Sequence, residues 1–271
     1  MNNSDSYNLY PFKAGHGVKK YAVFSFVYDG RPLDRISCVI TLRGAGDMRH
    51  EAARKKVFCE LGATDKKIFY GEQTHSRNVA VVTKNDSAPL PDTDGLVTTD
   101  FDTGLYVTTA DCLSVFLYDV AGGAFAALHS GWKGTGIAAN ALRLMIKTFG
   151  AKPKNIAAVL GPCIRACCYN VDEERAALYE KEFGGAEDGA AFPLGPVVKK
   201  KETASGTEHY IDMQAANAAL LVKNNVRNIA YCTDCTFTDE RFGSYRRQGA
   251  QNFTKMMALA VHLDNPGGNH A

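Results

Sequence analysis

One α/β (α+β) domain built on a mixed sheet, or on two sheets, is the fold that this 271-residue sequence predicts. Three observations carry that reading. Short β-rich runs outnumber helical ones, several neighbouring runs are joined by short turns, and no fixed-period repeat or low-complexity tract divides the chain. The strand-like runs come first: YAVFSFVY (21–28), ISCVITLR (36–43), KIFYGE (67–72), NVAVVT (78–83), GLYVTT (104–109), LSVFLYD (113–119) and GAFAALH (123–129). They are rich in Val, Phe, Tyr and Thr and punctuated by Gly, Asp and Pro, which suit a pleated surface and its turns. A helix is predicted from about Met48 to Leu61, closed by Gly62 as a C-terminal cap. A second follows Gly134, with Ile137, Ala141, Leu144 and Met145 on one face and Gly150 past its end. NIAAVLG (155–161) reads as a buried strand, and Asp212 as the N-cap of a helix reaching Asn224. NIAYC (228–232) and MMALAVHL (256–263) close the chain as strands. The stretch 1–18 is expected to be poorly ordered, and EFGGAEDGAAFPLGP (182–196) to form a flexible surface loop within a single domain.

Composition removes several function classes. Against 29 acidic side chains stand 31 basic ones, a net +2 that makes no electrostatic case for nucleic acid or a membrane surface. No apolar run approaches the roughly 18–20 residues of a membrane span. The opening MNNSDSYNLYPFKAGHGVKK lacks the hydrophobic core of a signal peptide, so the cytoplasm is the expected compartment. Seven histidines, with no His-x-His pair, are too few for a multicopper oxidase, which needs on the order of ten imidazole ligands. Copper is therefore not the expected metal. Eight cysteines without a secretion signal read as thiols, metal ligands or a nucleophile. Cys38 and Cys59, set among apolar residues, read as small buried hydrophobes. His16, His50, His209, His262 and His270 read as exposed or structural.

The chemistry concentrates where three polar side chains stand at the ends of apolar runs. His75 follows KIFYGEQT, Cys112 follows YVTTAD, and His129 closes GAFAAL just before SGWKG. Two imidazoles and one thiolate suit a single Zn²⁺ with a fourth position left for water or substrate. Their separations form no sequence motif; the support is in the setting. Asp111 precedes Cys112, where it can orient a ligand or handle a proton. Gly131 and Gly134 flank Trp132 and Lys133, letting backbone approach a ligand and opening a helix whose N–H groups suit an anion.

GEQTHS (71–76), DGLVTT (94–99), TADCLSVFLYD (109–119), ALHSGWKGT (127–135), LGPCIRACCYNV (160–171) and FGSYRRQG (242–249) resemble, in order and spacing, the signature segments of the YfiH family. That family is also called the laccase-domain or polyphenol oxidase family, and peptidoglycan editing factor. The resemblance runs from about Ser37 to Leu263. It implies mixed β-sheets packed face to face with flanking helices, and one zinc per chain on His75, Cys112 and His129. It also implies a purine nucleoside enzyme that is a monomer or weak homodimer. The activities implied are phosphorolysis of adenosine, inosine or methylthioadenosine, and hydrolytic deamination of adenosine. Zinc supplies the Lewis acidity that activates water in unrelated zinc deaminases. Phosphorolysis asks instead for an anion site, for which Arg43, Arg54, Lys133 and Arg246 are the candidates. Three positions depart from the family pattern: Lys133 and Lys255 stand where Arg is usual, and Gly243 where a second Phe is common before SYRR. Lysine offers a point charge in place of a planar fork.

Two other readings stand beside this one. Cys112 with His129 forms a nucleophile–base pair for a cysteine hydrolase or amidase, a reading favoured by the fold's likeness to a bacterial toxin deamidase. A redox or partner-binding protein would lean on Cys232-x-x-Cys235 and the vicinal Cys167-Cys168. A second, structural zinc is also open, on Cys232, Cys235 and one of Cys163, Cys167 or Cys168.

Overall fold

A computed structural model describes residues 7–15, 17–184 and 194–263. In chain order its first strands are β1 (Asn8–Phe12), β2 (Tyr21–Tyr28) and β3 (Arg31–Thr41), followed by helix α1 (Glu51–Glu60). Then come β4 (Lys67–Phe69), β5 (Val79–Val81), β6 (Gly95–Thr98), β7 (Thr103–Thr109), β8 (Leu113–Asp119), β9 (Phe125–Ser130) and α2 (Ile137–Phe149). The second half holds β10 (Ile156–Leu160), β11 (Asn170–Val171), α3 (Glu173–Phe183), β12 (Val198–Thr203), β13 (Gly206–Ile211) and α4 (Met213–Lys223). It closes with β14 (Asn228–Cys232), α5 (Tyr245–Gln248) and β15 (Met256–Val261). The strands form a seven-stranded sheet ordered β1-β14-β10-β8-β9-β6-β5 and a five-stranded sheet ordered β2-β3-β15-β7-β4. A small third sheet runs β11-β13-β12.

Side-chain alternation explains why the two large sheets stack. Along β8, Phe116 and Tyr118 enter the core shared with the five-stranded sheet, while Leu113, Val115 and Leu117 face the core under α2 and α4. Along β15, Met256, Ala258 and Ala260 join the first core, and Met257, Leu259 and Val261 pack on Val57 and Leu61 near α1. A strand covered on both faces reads as a continuous apolar run, as both of these do. The layers are therefore helix, sheet, sheet, helix, which is the face-to-face arrangement expected.

Local signals act as predicted at several ends. Gly62 and Gly150 take φ of 68° and 69° after α1 and α2, closing both helices in the left-handed region. Asp212 caps α4, its carboxylate accepting from the backbone N–H of Gln214 and Ala215. Elsewhere the structure differs. The stretch 1–18 carries β1, which lies parallel to β14 and is fastened by Asn8 Nδ2 and Tyr10 Oη donating to Asn228 Oδ1. Residues 1–6 and 16 lie outside the described residues, as does most of the loop 182–196, from 185 to 193. Cys38 is buried, but Cys59 is exposed on α1.

The two sheets exchange the chain where the chemistry was expected. β7 belongs to one sheet and β8 to the other, so Asp111 and Cys112 sit in the crossing turn. β9 pairs antiparallel with β8 and sets His129 opposite Ser114, while β15 starts opposite Thr109. Strand ends from both sheets thus converge on one edge of the sandwich.

Candidate functional site

His75 stands in the loop between β4 and β5, Cys112 in the crossing turn, and His129 within β9. Their ligand atoms all lie within 4.8 Å of one another, and the two imidazoles meet edge-on. His75 and Asp111 adopt φ of 62° and 81°, a region that costs a non-glycine residue about 1–3 kcal/mol and persists only where neighbours enforce it.

Asp94, fully buried just ahead of β6, is the enforcer at His75. Its Oδ1 accepts from the His75 backbone N–H at 3.1 Å, and its Oδ2 from Thr74 N–H, Ser76 N–H and Ser76 Oγ. The same Oδ1 lies 2.7 Å from His129 Nδ1. Burial works against charge on Asp94, but the bonds from His129 and Ser76 prevail and hold its carboxyl far below the usual range. An ionised carboxylate only accepts, so His129 Nδ1 carries the proton and donates it, leaving Nε2 for the centre. Asp94 opens the matched segment DGLVTT, but the sequence assigned it no role, because an acidic residue before an apolar strand looks like an ordinary turn residue.

Burial also acts to raise the Cys112 thiol, yet the charge of His129 and hydrogen bonds from both histidines bring it down to about 6. For His129, burial favours the neutral ring, while the Cys112 thiolate and Asp94 lift it to about 9. Without a metal the centre is therefore a thiolate beside an imidazolium. A soft–borderline donor set of one thiolate and two imidazoles, one imidazole oriented by a carboxylate, fits a zinc-like divalent ion in place of the proton. Gly131 makes the room: a Cβ there would stand 2.8 Å from His75 Cδ2 and 3.1 Å from Cys112 Sγ.

These donors help line a cavity of about 530 Å³, within the range of roughly 300–1,000 Å³ common for small-molecule sites. Trp132, Tyr169, Tyr245 and Phe253 supply aromatic faces, and Arg175, Arg246 and Lys255 supply positive charge. The Arg175 guanidinium lies over the Trp132 ring at 4.6 Å, and that of Arg246 over Tyr169 at 5.3 Å. Gln73 is locked to β7, donating to Thr108 O and accepting from Thr108 N–H and Oγ1.

The predicted anion ligands separate here. Arg246 lines the cavity; Arg43, Arg54 and Lys133 do not. Arg43 donates to Glu240 O, Arg54 donates to Met48 O and Arg49 O, and Lys133 Nζ lies over the Trp132 ring at 5.5 Å. The Arg246 guanidinium also braces backbone, donating to Asn170 O, so what separates it from Arg43 and Arg54 is its place on the cavity wall, which proximity in sequence to matched segments could not tell. Arg175 and Lys255 take their places on the wall. Asp111 also lines the cavity, but both its oxygens are engaged: Oδ1 accepts from Thr236 Oγ1 and Oδ2 from the Arg246 N–H. Its carboxylate thus sets the position of α5 and Arg246. Of the two sulfur clusters considered, Cys235 meets Cys167 and Cys168, whereas Cys232 turns to Asp234.

The family described as multi-copper polyphenol oxidoreductase laccase matches residues 44–263. A purine nucleoside phosphorylase of Mycobacterium tuberculosis is 31% identical over 198 residues, covering 72% of this chain and 73% of the relative. An adenosine deaminase from an unknown prokaryotic organism is 32% identical over 253 residues, covering 88% and 91%. Among solved structures, the Bacillus licheniformis hypothetical protein YfiH superposes with a TM-score of 0.74 at 26% identity, covering 91% of this chain and 97% of the other. Matched along most of its length in sequence and in fold, the chain belongs to this laccase-like YfiH family.

Proposed function

We propose that this chain is a zinc-dependent purine nucleoside enzyme that cleaves adenosine, inosine or methylthioadenosine by phosphorolysis and deaminates adenosine hydrolytically. The observation that carries it is the convergence of His75, Cys112 and His129 on the wall of a cavity that also holds four aromatic rings and three cations. Relatives named purine nucleoside phosphorylase and adenosine deaminase support the same reading. Seven histidines without a His-x-His pair suit one ion better than the several coppers of the family's description.

Zinc held by His75, Cys112 and His129 would supply a Lewis acid to the cavity. The protein's own groups do the rest. Trp132, Tyr169, Tyr245 and Phe253 offer flat apolar faces for a purine. Arg175, Arg246 and Lys255 hold phosphate, one of whose oxygens bonds to ribose C1′ as the bond from C1′ to the purine breaks. Asp111 fixes Arg246 for that task, and Asp94 keeps His129 in one tautomer and one orientation. The same reading takes the enzyme as a cytoplasmic monomer or weak homodimer; among the described residues no helix is long and apolar enough to cross a membrane.

A second reading has its own observation. Cys112, His129 and Asp94 also form the arrangement of a nucleophilic thiol, its base and an orienting carboxylate, with the thiol lowered to about 6. His75 distinguishes the two, because a nucleophile–base pair has no use for a second imidazole against the thiol. The direct test incubates zinc-loaded protein with adenosine, with and without phosphate, and separates the products by chromatography. Adenine with ribose 1-phosphate is expected only when phosphate is present, and inosine in both cases. Adenosine returned unchanged in both would overturn the proposal.

A further inference from the structure

We propose that Cys167, Cys168 and Cys235 form a second metal site, built for zinc and sharing no ligand with the first. Their three sulfurs lie within 4.8 Å of one another, with Cys167 Sγ and Cys168 Sγ 3.4 Å apart. Two separate loops bring them together. Residues 163 and 235 form a parallel backbone bridge, Thr236 N–H donates to Cys163 O, and Arg165 N–H donates to Cys235 Sγ at 3.4 Å. The turn that follows is closed by Cys168 and Tyr169 N–H groups donating to Arg165 O. A rigid frame therefore presents the sulfurs, and a backbone N–H aimed at a sulfur is a contact that favours a thiolate ligand.

The cluster selects among the eight cysteines in a way their spacing does not. Cys232, first of the Cys-x-x-Cys pair, turns its thiol toward Asp234 Oδ2, and Cys163 is buried in the apolar core. Three thiolates are soft donors that select zinc over calcium or magnesium. Cys167 is exposed, so an ion and a fourth, solvent ligand have access. On binding, each thiol gives its proton to water as its sulfur–zinc bond forms; nothing is oxidised or reduced.

The two loops also furnish the cavity. Tyr169 follows Cys168 directly, and Thr236 follows Cys235 and donates to Asp111, which in turn accepts from the Arg246 N–H. An ion joining the loops fixes Tyr169 and Arg246 relative to each other.

Cadmium titration of the reduced, metal-free Cys112→Ser chain tests this, because that variant has no thiolate in the first centre whether or not the first centre binds metal. One equivalent of Cd²⁺ is expected to bind with thiolate-to-metal absorption in the near ultraviolet. Adding Cys167→Ser, an exposed position that the fold tolerates, is expected to weaken binding by about tenfold or more. Absence of that absorption in the Cys112→Ser chain, or absorption and affinity unchanged by Cys167→Ser, would overturn the site.

Discussion

Asp94 shows how one buried carboxylate settles the chemistry of two other residues. It straps the backbone of residues 74–76 into the conformation that brings His75 forward, and it fixes the proton of His129 on Nδ1. Charge is then partitioned between Cys112 and His129, with the thiol at about 6 and the imidazole at about 9. A thiolate is the form that alkylates. In metal-free protein, alkylation of Cys112 by iodoacetamide, followed by peptide mass, is expected to rise with pH through about 6 and then level off. An ordinary thiol rises through about 8.5, and a Cys112 profile of that shape would contradict the ion pair. Zinc added beforehand is expected to protect Cys112, whereas an activated free nucleophile would react regardless. His129 was legible in the sequence because it closes an apolar run; His75 and Cys112 stand a few polar residues beyond such runs and were legible from that setting together with the matched family segments. Asp94 opens the matched segment DGLVTT, yet its role was not legible, since only the fold shows that two histidines need it.

Among the elements, those whose partners lie close in sequence or whose faces are apolar were the readable ones. β8, β9, β10 and β15 are apolar on both faces and were found within a residue or two. β12 (VKKKET) and β13 (GTEHYI) were missed: their hairpin is half solvent-facing and carries three consecutive lysines. β1 was missed because only distant β14 gives it a partner. Helix α4 carries a clear test of local signals. Asp212 caps it and also lies 3.4 Å from Arg165 Nη2, with both groups largely buried. Asp212→Ala removes the cap, worth about 1 kcal/mol, and leaves Arg165 short of its carboxylate. A loss of about 2 kcal/mol or more in urea unfolding is expected. A loss below about 0.5 kcal/mol would show that the cap and its ion pair carry little of the stability of α4.

At the scale of the whole molecule, the cavity is assembled from segments that no window of sequence unites. Arg175 comes from α3, Arg246 from α5 and Lys255 from the approach to β15, and they meet because two stacked sheets end at one edge. That is why Arg246 was found by motif and Lys255 was noted only as a departure from the family pattern, while Arg175 emerges from the fold alone. Charge-assisted contacts to phosphate are worth roughly 1.5–3 kcal/mol each. Lys255→Ala is therefore expected to raise the KM for phosphate by about tenfold or more, with adenosine deamination within about twofold of the unsubstituted enzyme. Arg54→Ala, whose guanidinium holds backbone carbonyls away from the cavity, is expected to leave the phosphate KM unchanged. Equal loss of both activities in Lys255→Ala would contradict an anion role.

The convergence of two imidazoles and a thiol on one ion is tested most directly by anomalous diffraction at the zinc absorption edge from crystals of the purified protein, which locates each ion separately. The expected result is a peak bounded by His75, Cys112 and His129, with zinc–nitrogen distances of about 2.0–2.1 Å and a zinc–sulfur distance of about 2.3 Å. No peak there in crystals of protein that still cleaves adenosine would contradict it.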